Sequence, residues 1–313
     1  MSKPFSLKIF LSRVAFAAAV VLACFDFITP PIALIAGFGF SLLIGHPFPE
    51  LNRKATNVLL KISVIGLGFG MNFQNAMHTS KEGFVLTFAT IGFTLVLSLL
   101  LGKFLRVPPK TSHLLGSGTA ICGGSAIAAI GPLVNADDKD MSVSLATIFV
   151  LNSFALFLFP IIGHALELTQ QQFGLWSAVA IHDTSSVVGA SSVYGDEALQ
   201  IATTVKLARA LWIIPLALVT AFLFKADSKT IAIPWFIFLF IAAMLMNTYI
   251  PFVDRFNDDI VKFSRTGLTI TLFLIGAGLT LEKLKSVGWK PLLLGIILWV
   301  VISVSSLTYI VLV

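Results

Sequence analysis

The chain has 313 residues, and its 21 Lys and Arg and 15 Asp and Glu make only 12% of it charged, against roughly 25% in an ordinary soluble protein. Hydrophobic residues make up 57% and the mean hydropathy is +0.96, so too few polar side chains remain to cover a water-exposed surface. The net charge of +6 is typical of cationic loops in a membrane protein and does not require nucleic acid. The composition therefore excludes a soluble enzyme, a nucleic-acid binder and a disordered regulator, and it predicts an all-α polytopic membrane protein.

Eleven apolar segments of about 20 residues are predicted to span the membrane as helices, with ten as the alternative count. Helices satisfy their backbone hydrogen bonds within one segment, whereas barrel strands would alternate in runs of about ten residues. The segments leave no room for a soluble domain, so residues 1–313 are expected to form one integral membrane domain. The predicted spans are residues 9–25, 28–45, 57–73, 84–101, 114–134, 141–162, 173–194, 199–224, 231–250, 267–281 and 291–313.

Lysine and arginine are distributed unevenly between the predicted loops. If the N-terminus is cytoplasmic, thirteen cations lie on the cytoplasmic side and five on the other, as the positive-inside rule requires. The sequence therefore predicts a cytoplasmic N-terminus and a C-terminus on the opposite side. The cytoplasmic set is Lys3, Lys8, Arg13, Arg53, Lys54, Lys103, Arg106, Lys110, Lys225, Lys229, Lys283, Lys285 and Lys290, and the outer set is Lys81, Lys139, Arg255, Lys262 and Arg265.

The fifth predicted span contains a cluster of glycine, serine and threonine. Gly123 and Gly124 each weaken a helix by about 1 kcal/mol relative to alanine. Neighbours such as Thr119 and Ser125 offer other hydrogen bonds to the freed backbone groups. The alternative is close helix packing through small residues. Consecutive glycines do not follow the four-residue spacing of a packing stripe, so a break in the helix is favoured.

The seventh predicted span contains a polar run between residues 181 and 192. One Asp at the centre of a membrane helix costs about 2.5 to 3.5 kcal/mol, so Asp183 is not expected to face lipid. In a continuous helix His182, Ser185 and Ser186 would share one face, directed at a cavity or at neighbouring helices. The alternative to a functional site is a polar network that only holds helices together, and the functional interpretation is favoured.

Lys206 and Arg209 are three residues apart in the eighth predicted span, so they are neighbours on the helix surface. Both could extend to the membrane surface through their apolar stems. However, this end is predicted to be extracytoplasmic, where cations are disfavoured, and Arg209 lies about 18 Å along the helix from Glu197. Arg209 is therefore predicted to face a polar cavity, whereas Lys206 remains open between the two locations.

Three other residues in predicted spans give weaker signals. Lys61 lies one turn into the third span and can extend to the surface, and Asn152 can form an interhelical hydrogen bond, so both are interpreted as structural. Cys122 has no neighbouring His or acidic residue that would activate its thiol, which disfavours a nucleophile.

Two glycine-containing segments look alike. Residues 64–69 read VIGLGF and residues 274–279 read LIGAGL, in the third and tenth predicted spans. An odd offset means that the two copies would cross the membrane in opposite directions. This predicts inverted repeats, as found in many secondary transporters.

A second internal likeness does not fit that scheme. Leu-Ala-Thr at residues 145–147 followed by Pro160 matches Ile-Ala-Thr at residues 201–203 followed by Pro215. The two copies lie in the sixth and eighth predicted spans. An even offset would make them parallel, and the sequence alone offers no account of this likeness.

Three segments together carry a family resemblance. They read LGSGTAICGGSAIAA at residues 115–129, AIHDTSSVVGA at residues 180–190 and KLAR at residues 206–209. The chain resembles, over nearly its whole length, the YeiH-type sulfate exporter family of bacterial inner-membrane proteins. The resemblance implies the fold of the cation/proton antiporter and anion transporter superfamily, in which a panel moves against a core with two crossed, discontinuous helices.

The leading hypothesis is a secondary transporter that exports a small anion, sulfate or an organosulfonate, by alternating access. Backbone N–H groups at the glycine break would bind the anion, the two intramembrane cations would offset its charge, and a histidine that titrates near neutral pH would couple transport to protons or sodium. The expected binding residues are Thr119, Cys122, Gly123, Gly124, Ser125, Ser185, Ser186, Lys206 and Arg209, and the expected coupling pair is His182 and Asp183.

Two alternatives are weighed against this hypothesis. In a cation/proton antiporter Asp183 would bind the ion, but one acidic residue against two cations, Lys206 and Arg209, disfavours it. An intramembrane enzyme using His182 and Asp183 is disfavoured because no metal-ligand spacing such as His-Glu-x-x-His occurs.

The expected partners are a small anion, membrane lipid and a coupling proton or sodium ion, without nucleic acid, metal or cofactor, and a homodimer is left open.

Overall fold

The computed structural model describes residues 7–25, 28–45, 47–224, 235–278 and 288–312. Within these ranges the chain forms fourteen α-helices and no strand. The first seven helices are α1 (Leu7–Leu22), α2 (Pro30–Leu43), α3 (Pro49–Leu67), α4 (Phe73–Leu105), α5 (Pro109–Ala120), α6 (Gly124–Ile130) and α7 (Asp138–Ala165). The other seven are α8 (Gln170–Ala180), α9 (Thr184–Tyr194), α10 (Asp196–Ala210), α11 (Ile213–Phe224), α12 (Phe236–Tyr249), α13 (Asp254–Ala277) and α14 (Trp289–Leu312).

The exterior of the described helices is apolar. Large side chains such as Leu43, Phe104 and Phe222 are more than 80% exposed, a surface suited to lipid and not to water. The chain is therefore an all-α polytopic membrane protein, as the composition predicts. Five helical segments are long and apolar enough to cross a membrane, namely Leu86–Leu105, Lys139–Ala165, Asp196–Phe224, Arg255–Ala277 and Trp289–Leu312.

Several sequence predictions fall on parts of the chain outside the described residues. These are the start of the ninth predicted span at Ile231, the ends of the tenth and eleventh at Leu281 and Val313, and the cations Lys3, Lys225, Lys229, Lys283 and Lys285.

Side-chain caps set the starts of three consecutive helices, α7, α8 and α9. The Thr169 hydroxyl accepts from the Gln172 backbone N–H at 3.2 Å and the Gln172 side chain accepts from the Thr169 N–H at 3.0 Å, a capping box that starts α8. Asp137 accepts from the Asp140 N–H at 2.7 Å at the start of α7. Asp183 serves the same purpose for α9. Each cap satisfies backbone N–H groups that a helix start leaves unpaired.

Proline explains the break between α10 and α11. The helix is interrupted at Leu211 and Trp212, and Pro215 follows four residues after Leu211. A proline in a helix has no N–H to donate and its ring clashes with the carbonyl of the fourth residue before it. Since α10 and α11 form one apolar segment, the break interrupts a single long helical segment.

The chain divides into two compact units. The first contains α1, α2, α3, α12 and α13, and the second contains α4 to α11 and α14. Both interrupted helix pairs, α5–α6 and α8–α9, belong to the second unit.

In the first unit, α13 packs against α2 and α3 through reciprocal glycine contacts. A Cβ atom on Gly37 would strike the Phe273 carbonyl, and a Cβ atom on Gly276 would strike the Leu34 carbonyl. Likewise Gly267 of α13 faces Ser63 of α3. The backbones therefore approach one another as closely as glycine allows.

The similar segments of the third and tenth predicted spans lie at the ends of α3 and α13. Residues 64–67 belong to α3 and residues 274–277 belong to α13, while residue 279 lies outside the described residues. Gly66 faces Ser264 while Gly267 faces Ser63, so the two helices run in opposite directions. This is the direction that the odd offset predicts.

In the second unit, α5 and α6 form a helical hairpin, called hairpin 1. The Lys110 ammonium donates to the Asn135 carbonyl, so the start of α5 and the chain after α6 lie at the same end. The Thr111 hydroxyl donates to Asp140, which places the start of α7 there too. Close to the turn, a Cβ atom on Gly118 would meet Ile127. The chain thus enters through α5, turns at residues 121–123 and returns through α6.

The pair α8–α9 forms a second hairpin, called hairpin 2. The Tyr194 hydroxyl donates to the Leu168 carbonyl at 2.6 Å, which joins the two ends of the hairpin. Halfway along the arms the hydroxyls of Ser177 and Ser191 lie 3.0 Å apart. The turn occupies residues 181–183.

Two long helices connect the hairpins in opposite directions. Helix α7 starts beside Thr111 at the base of hairpin 1 and ends with His164 stacked on Tyr194 at the base of hairpin 2. Helix α10 starts where Gln170 accepts from the Glu197 N–H, and α11 ends near the contact of His113 with Thr220, at the base of hairpin 1. The hairpins therefore enter the unit from opposite ends.

This topology corrects the expectation of two crossed, discontinuous helices. The breaks occur at the predicted places, but the predicted spans 114–134 and 173–194 are hairpins whose ends lie together. The positive φ of 64° at Gly123 reverses the chain in hairpin 1, and Ile181 leaves the helix with extended backbone in hairpin 2. Consequently His182, Ser185 and Ser186 do not share one helical face, since His182 lies in the turn.

The topology also explains the second internal likeness. Because neither hairpin crosses the unit, α7 and α10–α11 are successive crossings and run antiparallel. Hairpin 1 with α7 and hairpin 2 with α10–α11 are thus inverted repeats. Residues 145–147 with Pro160 and residues 201–203 with Pro215 occupy corresponding helices of the two repeats.

The close approach of α2 and α13 gives a first prediction. Gly37→Ala should lower the thermal unfolding midpoint of the detergent-purified protein, because the added methyl group strikes the Phe273 backbone and overpacking costs about 1 to 3 kcal/mol. Gly39→Ala, on the same helix with open space around it, should leave the midpoint unchanged or raise it. Equal midpoints for the two variants would contradict the packing described for α2.

The turn of hairpin 1 gives a second prediction. Gly123→Ala should destabilise the protein by about 1 to 2 kcal/mol, because φ of 64° is unfavourable for a residue with a Cβ atom. Gly124→Ala is the matched control, since its Cβ would make only ordinary contacts with Leu145 and Phe149 at 3.4 Å. Thermal melts of the two variants check this, and a control that melts as low as Gly123→Ala would refute the assignment of the turn.

Candidate functional site

Arg209, near the end of α10, is completely buried and binds the turn of hairpin 1. Its Nε and Nη2 donate to the Ala120 carbonyl at 3.0 and 2.5 Å. Ala120 is the last residue of α5, whose final carbonyls have no partner within the helix. The guanidinium therefore caps the negative end of that helix dipole. An exposed fraction of 0% shows that Arg209 does not extend to the membrane surface.

Lys206 performs the corresponding task for hairpin 2. It is also 0% exposed, and its Nζ donates to the carbonyls of Ile181 at 2.6 Å and Ala178 at 3.3 Å. These carbonyls end α8. The two cations of one helix thus hold the first arms of both hairpins.

Asn152, in the middle of α7, binds the turn of hairpin 2 from the other side. Its Oδ1 accepts from the backbone N–H groups of His182 at 3.2 Å and Asp183 at 3.4 Å. The side chain is 3% exposed, and its Nδ2 has no hydrogen-bond partner among the described residues.

Asp183 is the N-cap of α9. Its Oδ2 accepts from the backbone N–H groups of Ser185 at 3.1 Å and Ser186 at 3.3 Å, and also from the Ser185 hydroxyl. A carboxylate at this position is stabilised by the positive end of the helix dipole. Asp183 therefore holds the start of its own helix.

The turns of the two hairpins touch. A Cβ atom on Gly123 would lie 3.4 Å from the backbone nitrogen of Asp183 and 3.2 Å from Ile148 of α7. Cys122 is buried at this junction. The hairpins therefore meet inside the second unit, beside α7 and α10.

Several buried side-chain atoms have no hydrogen-bond partner within the described residues. Seven of them belong to this junction or to the helices that carry its polar side chains. Leaving such an atom unpaired costs about 1 to 3 kcal/mol, and more for a charged group, so these atoms require a ligand or water. The atoms are Thr119 Oγ1, Asn152 Nδ2, His182 Nδ1, His182 Nε2, Thr203 Oγ1, Thr204 Oγ1 and Arg209 Nη1.

Two of these seven atoms are obligatory hydrogen-bond donors. Asn152 Nδ2 and Arg209 Nη1 can only donate, whereas threonine hydroxyls and the imidazole of His182 can donate or accept. None of the seven is restricted to accepting. With two buried cations and one carboxylate nearby, the arrangement suits a ligand that accepts hydrogen bonds and carries negative charge.

The structure brings most of the sequence-predicted site residues to this junction. Thr119, Cys122 and Gly123 lie at the end of hairpin 1, His182, Asp183, Ser185 and Ser186 lie at the turn of hairpin 2, and Lys206 and Arg209 bind both turns. Gly124 is partly exposed and Ser125 is exposed, so these two lie at the edge of the cluster. The Gly123 N–H donates to the Gly118 carbonyl at 2.8 Å and is already paired.

Sequence reasoning gave no site role to Asn152, which was interpreted as structural, and it did not consider Thr204, because isolated threonines are ordinary in membrane helices. It noted Thr203 beside Lys206 and Arg209 but did not assign it to the site. The carbonyls of Ala120 and Ile181 have no signal in the sequence.

Comparison with known proteins places the chain among membrane proteins. The family model described as "Conserved hypothetical protein 698" matches residues 15–295. A "UPF0324 membrane protein" of Bacteroides thetaiotaomicron is 55% identical over 285 residues, which is 90% of this chain and 86% of that protein. A UPF0324 membrane protein of Photobacterium profundum is 52% identical over 93% of this chain and 90% of its own length.

A third relative, from Vibrio parahaemolyticus and also named a UPF0324 membrane protein, is 48% identical over 96% of this chain and 98% of its own length. No solved structure matches the chain. The family match covers most of the sequence, including both hairpins and the helices α7 and α10. The chain belongs to the Conserved hypothetical protein 698 family, whose relatives described above are named UPF0324 membrane proteins.

Proposed function

We propose that this protein is a secondary transporter of a small anion and that the junction of the two hairpins is its binding site. The observation that carries the proposal is the buried Arg209, whose Nη1 has no partner in the part of the chain that the structure describes, although Nε and Nη2 are bound. A buried cation with a spare donor is costly unless an anion or ordered water completes it. Sulfate or an organosulfonate is the proposed class, by resemblance to the YeiH-type sulfate exporter family.

Charge balance supports an anion over a cation. Lys206 and Arg209 contribute two positive charges, and Asp183 contributes one negative charge that already caps α9. The two buried cations would repel an added cation, and the carboxylate of Asp183 already binds backbone N–H groups of its own helix. For this reason the cation/proton antiporter is the weaker candidate.

The hairpin topology supports alternating access. The site lies where two re-entrant hairpins from opposite ends of one unit meet, so displacement of either turn would expose it to one end only. His182 is fully buried in the turn of hairpin 2, and neither ring nitrogen has a partner among the residues that the structure describes. It is the proposed carrier of a coupling proton. Asp183 would support it by holding the start of α9.

The proposed orientation is N-terminus cytoplasmic in a bacterial inner membrane. Because hairpin 1 does not cross, Lys139 lies at the same end as Lys110, at the base of that hairpin. Moving Lys139 to the cytoplasmic set changes the distribution of loop cations from thirteen and five to fourteen and four. The corrected topology therefore follows the positive-inside rule more closely.

Arg209 gives the test of the binding site. Sulfate should raise the melting temperature of the wild-type protein, since a ligand at one hundred times its Kd stabilises by about 2.7 kcal/mol. Arg209→Gln should lose this shift, and uptake of radiolabelled sulfate or taurine into proteoliposomes should fall by about tenfold or more, as expected for a lost hydrogen bond from a buried charge.

Arg255→Gln is the matched control, because Arg255 is an exposed cation in the first unit. Each shift is measured from the melting temperature of the same variant without ligand, so any loss of stability at Arg209 is separated from loss of binding. Sulfate and taurine responses equal in Arg209→Gln and wild type would remove Arg209 from the site. Sodium-driven proton movement without any anion response would favour the antiporter.

A further inference from the structure

We propose that Asn152 is a second, uncharged anion-binding residue of this site, and that it holds the turn of hairpin 2 while its Nδ2 donates to the bound anion. The inference rests on the proposed transport function and extends its binding site to α7. Asn152 would be the counterpart, in the first inverted repeat, of Arg209 in the second.

The two residues make reciprocal contacts. Arg209 belongs to the repeat of hairpin 2 and binds Ala120 of hairpin 1. Asn152 belongs to the repeat of hairpin 1 and binds His182 and Asp183 of hairpin 2. Each long helix therefore holds the turn of the other repeat's hairpin.

Their positions along the helices also correspond. Asn152 is the fifteenth residue of α7 and Arg209 is the fourteenth residue of α10. Both side chains lie five or six residues after the Leu-Ala-Thr and Ile-Ala-Thr segments that mark the repeats. The inverted repeat thus places them at equivalent depths.

Both side chains also end in an unsatisfied donor. Asn152 uses only Oδ1 for the hairpin turn and leaves Nδ2 unpartnered, while Arg209 uses Nε and Nη2 and leaves Nη1 unpartnered. A residue needed only to hold hairpin 2 would require an acceptor alone. The spare amide, 3% exposed and on the helix that faces both turns, needs an acceptor that the described protein atoms do not supply.

Asn152→Asp separates the two tasks, because it keeps the oxygen that accepts from His182 and Asp183 but removes the amide donor. Asn152→Ala removes both. The binding readout is the Kd of the purified protein for radiolabelled sulfate, and the structural readout is the melting temperature without sulfate. Ser153→Asp is the control for added charge, since Ser153 is partly exposed and its hydroxyl donates to Phe149 in its own helix.

We expect Asn152→Asp and Asn152→Ala both to weaken sulfate binding by about tenfold or more, the effect of losing a hydrogen bond to a charged group. Asn152→Ala should lower the melting temperature by the loss of the hairpin contact, whereas Asn152→Asp keeps the oxygen that makes this contact. Ser153→Asp should bind sulfate within about twofold of wild type, since the Ser153 side chain is partly exposed and bonds within its own helix.

Three results would overturn the inference. Wild-type affinity in Asn152→Asp would show that Asn152 only holds the hairpin. An equal loss of affinity in Ser153→Asp would show that added charge acts at a distance and that no contact exists. Absence of sulfate and taurine binding in the wild-type protein would overturn the proposed transport function together with this inference, whereas the first two results would leave that function intact.

Discussion

The structure of the second unit depends on two buried cations that bind the carbonyl ends of two half-length helices. Helices α5 and α8 both stop inside the unit, where the last carbonyls of each would otherwise be unpaired in an apolar surrounding. Arg209 and Lys206 supply the missing donors from one helix. The hairpins can therefore end deep in the unit only because α10 runs beside them, and the same cations then favour a negatively charged ligand.

The positions of the helix breaks could be predicted from the sequence, but their topology could not. Gly123 and the polar run at residues 181–192 are local signals, and both breaks lie there. A crossing helix with a break and a hairpin require the same number of residues and the same apolar pattern. What distinguishes them is tertiary, such as the contact of Lys110 with Asn135 or of Tyr194 with Leu168, and no local pattern encodes it.

The candidate site was predictable to the extent that its groups are costly in lipid. Arg209, Lys206 and Asp183 have to be buried among partners, and the sequence identifies them for that reason. Asn152 carries no charge, so its presence in a membrane helix is compatible with a structural role. Its significance depends on a contact with backbone N–H groups, and backbone donors and acceptors are present at every residue.

Separation along the chain has a consequence for how the protein is made. The partner of Ile181, Lys206, follows 25 residues later, but the partner of Ala120, Arg209, follows 89 residues later. At translation rates of about 5 to 20 residues per second, the end of α5 waits roughly 4 to 18 s for its guanidinium. Hairpin 1 therefore has to be completed late, after the ribosome has delivered α10, and a nascent chain shorter than this would carry an unfinished hairpin at the insertion machinery.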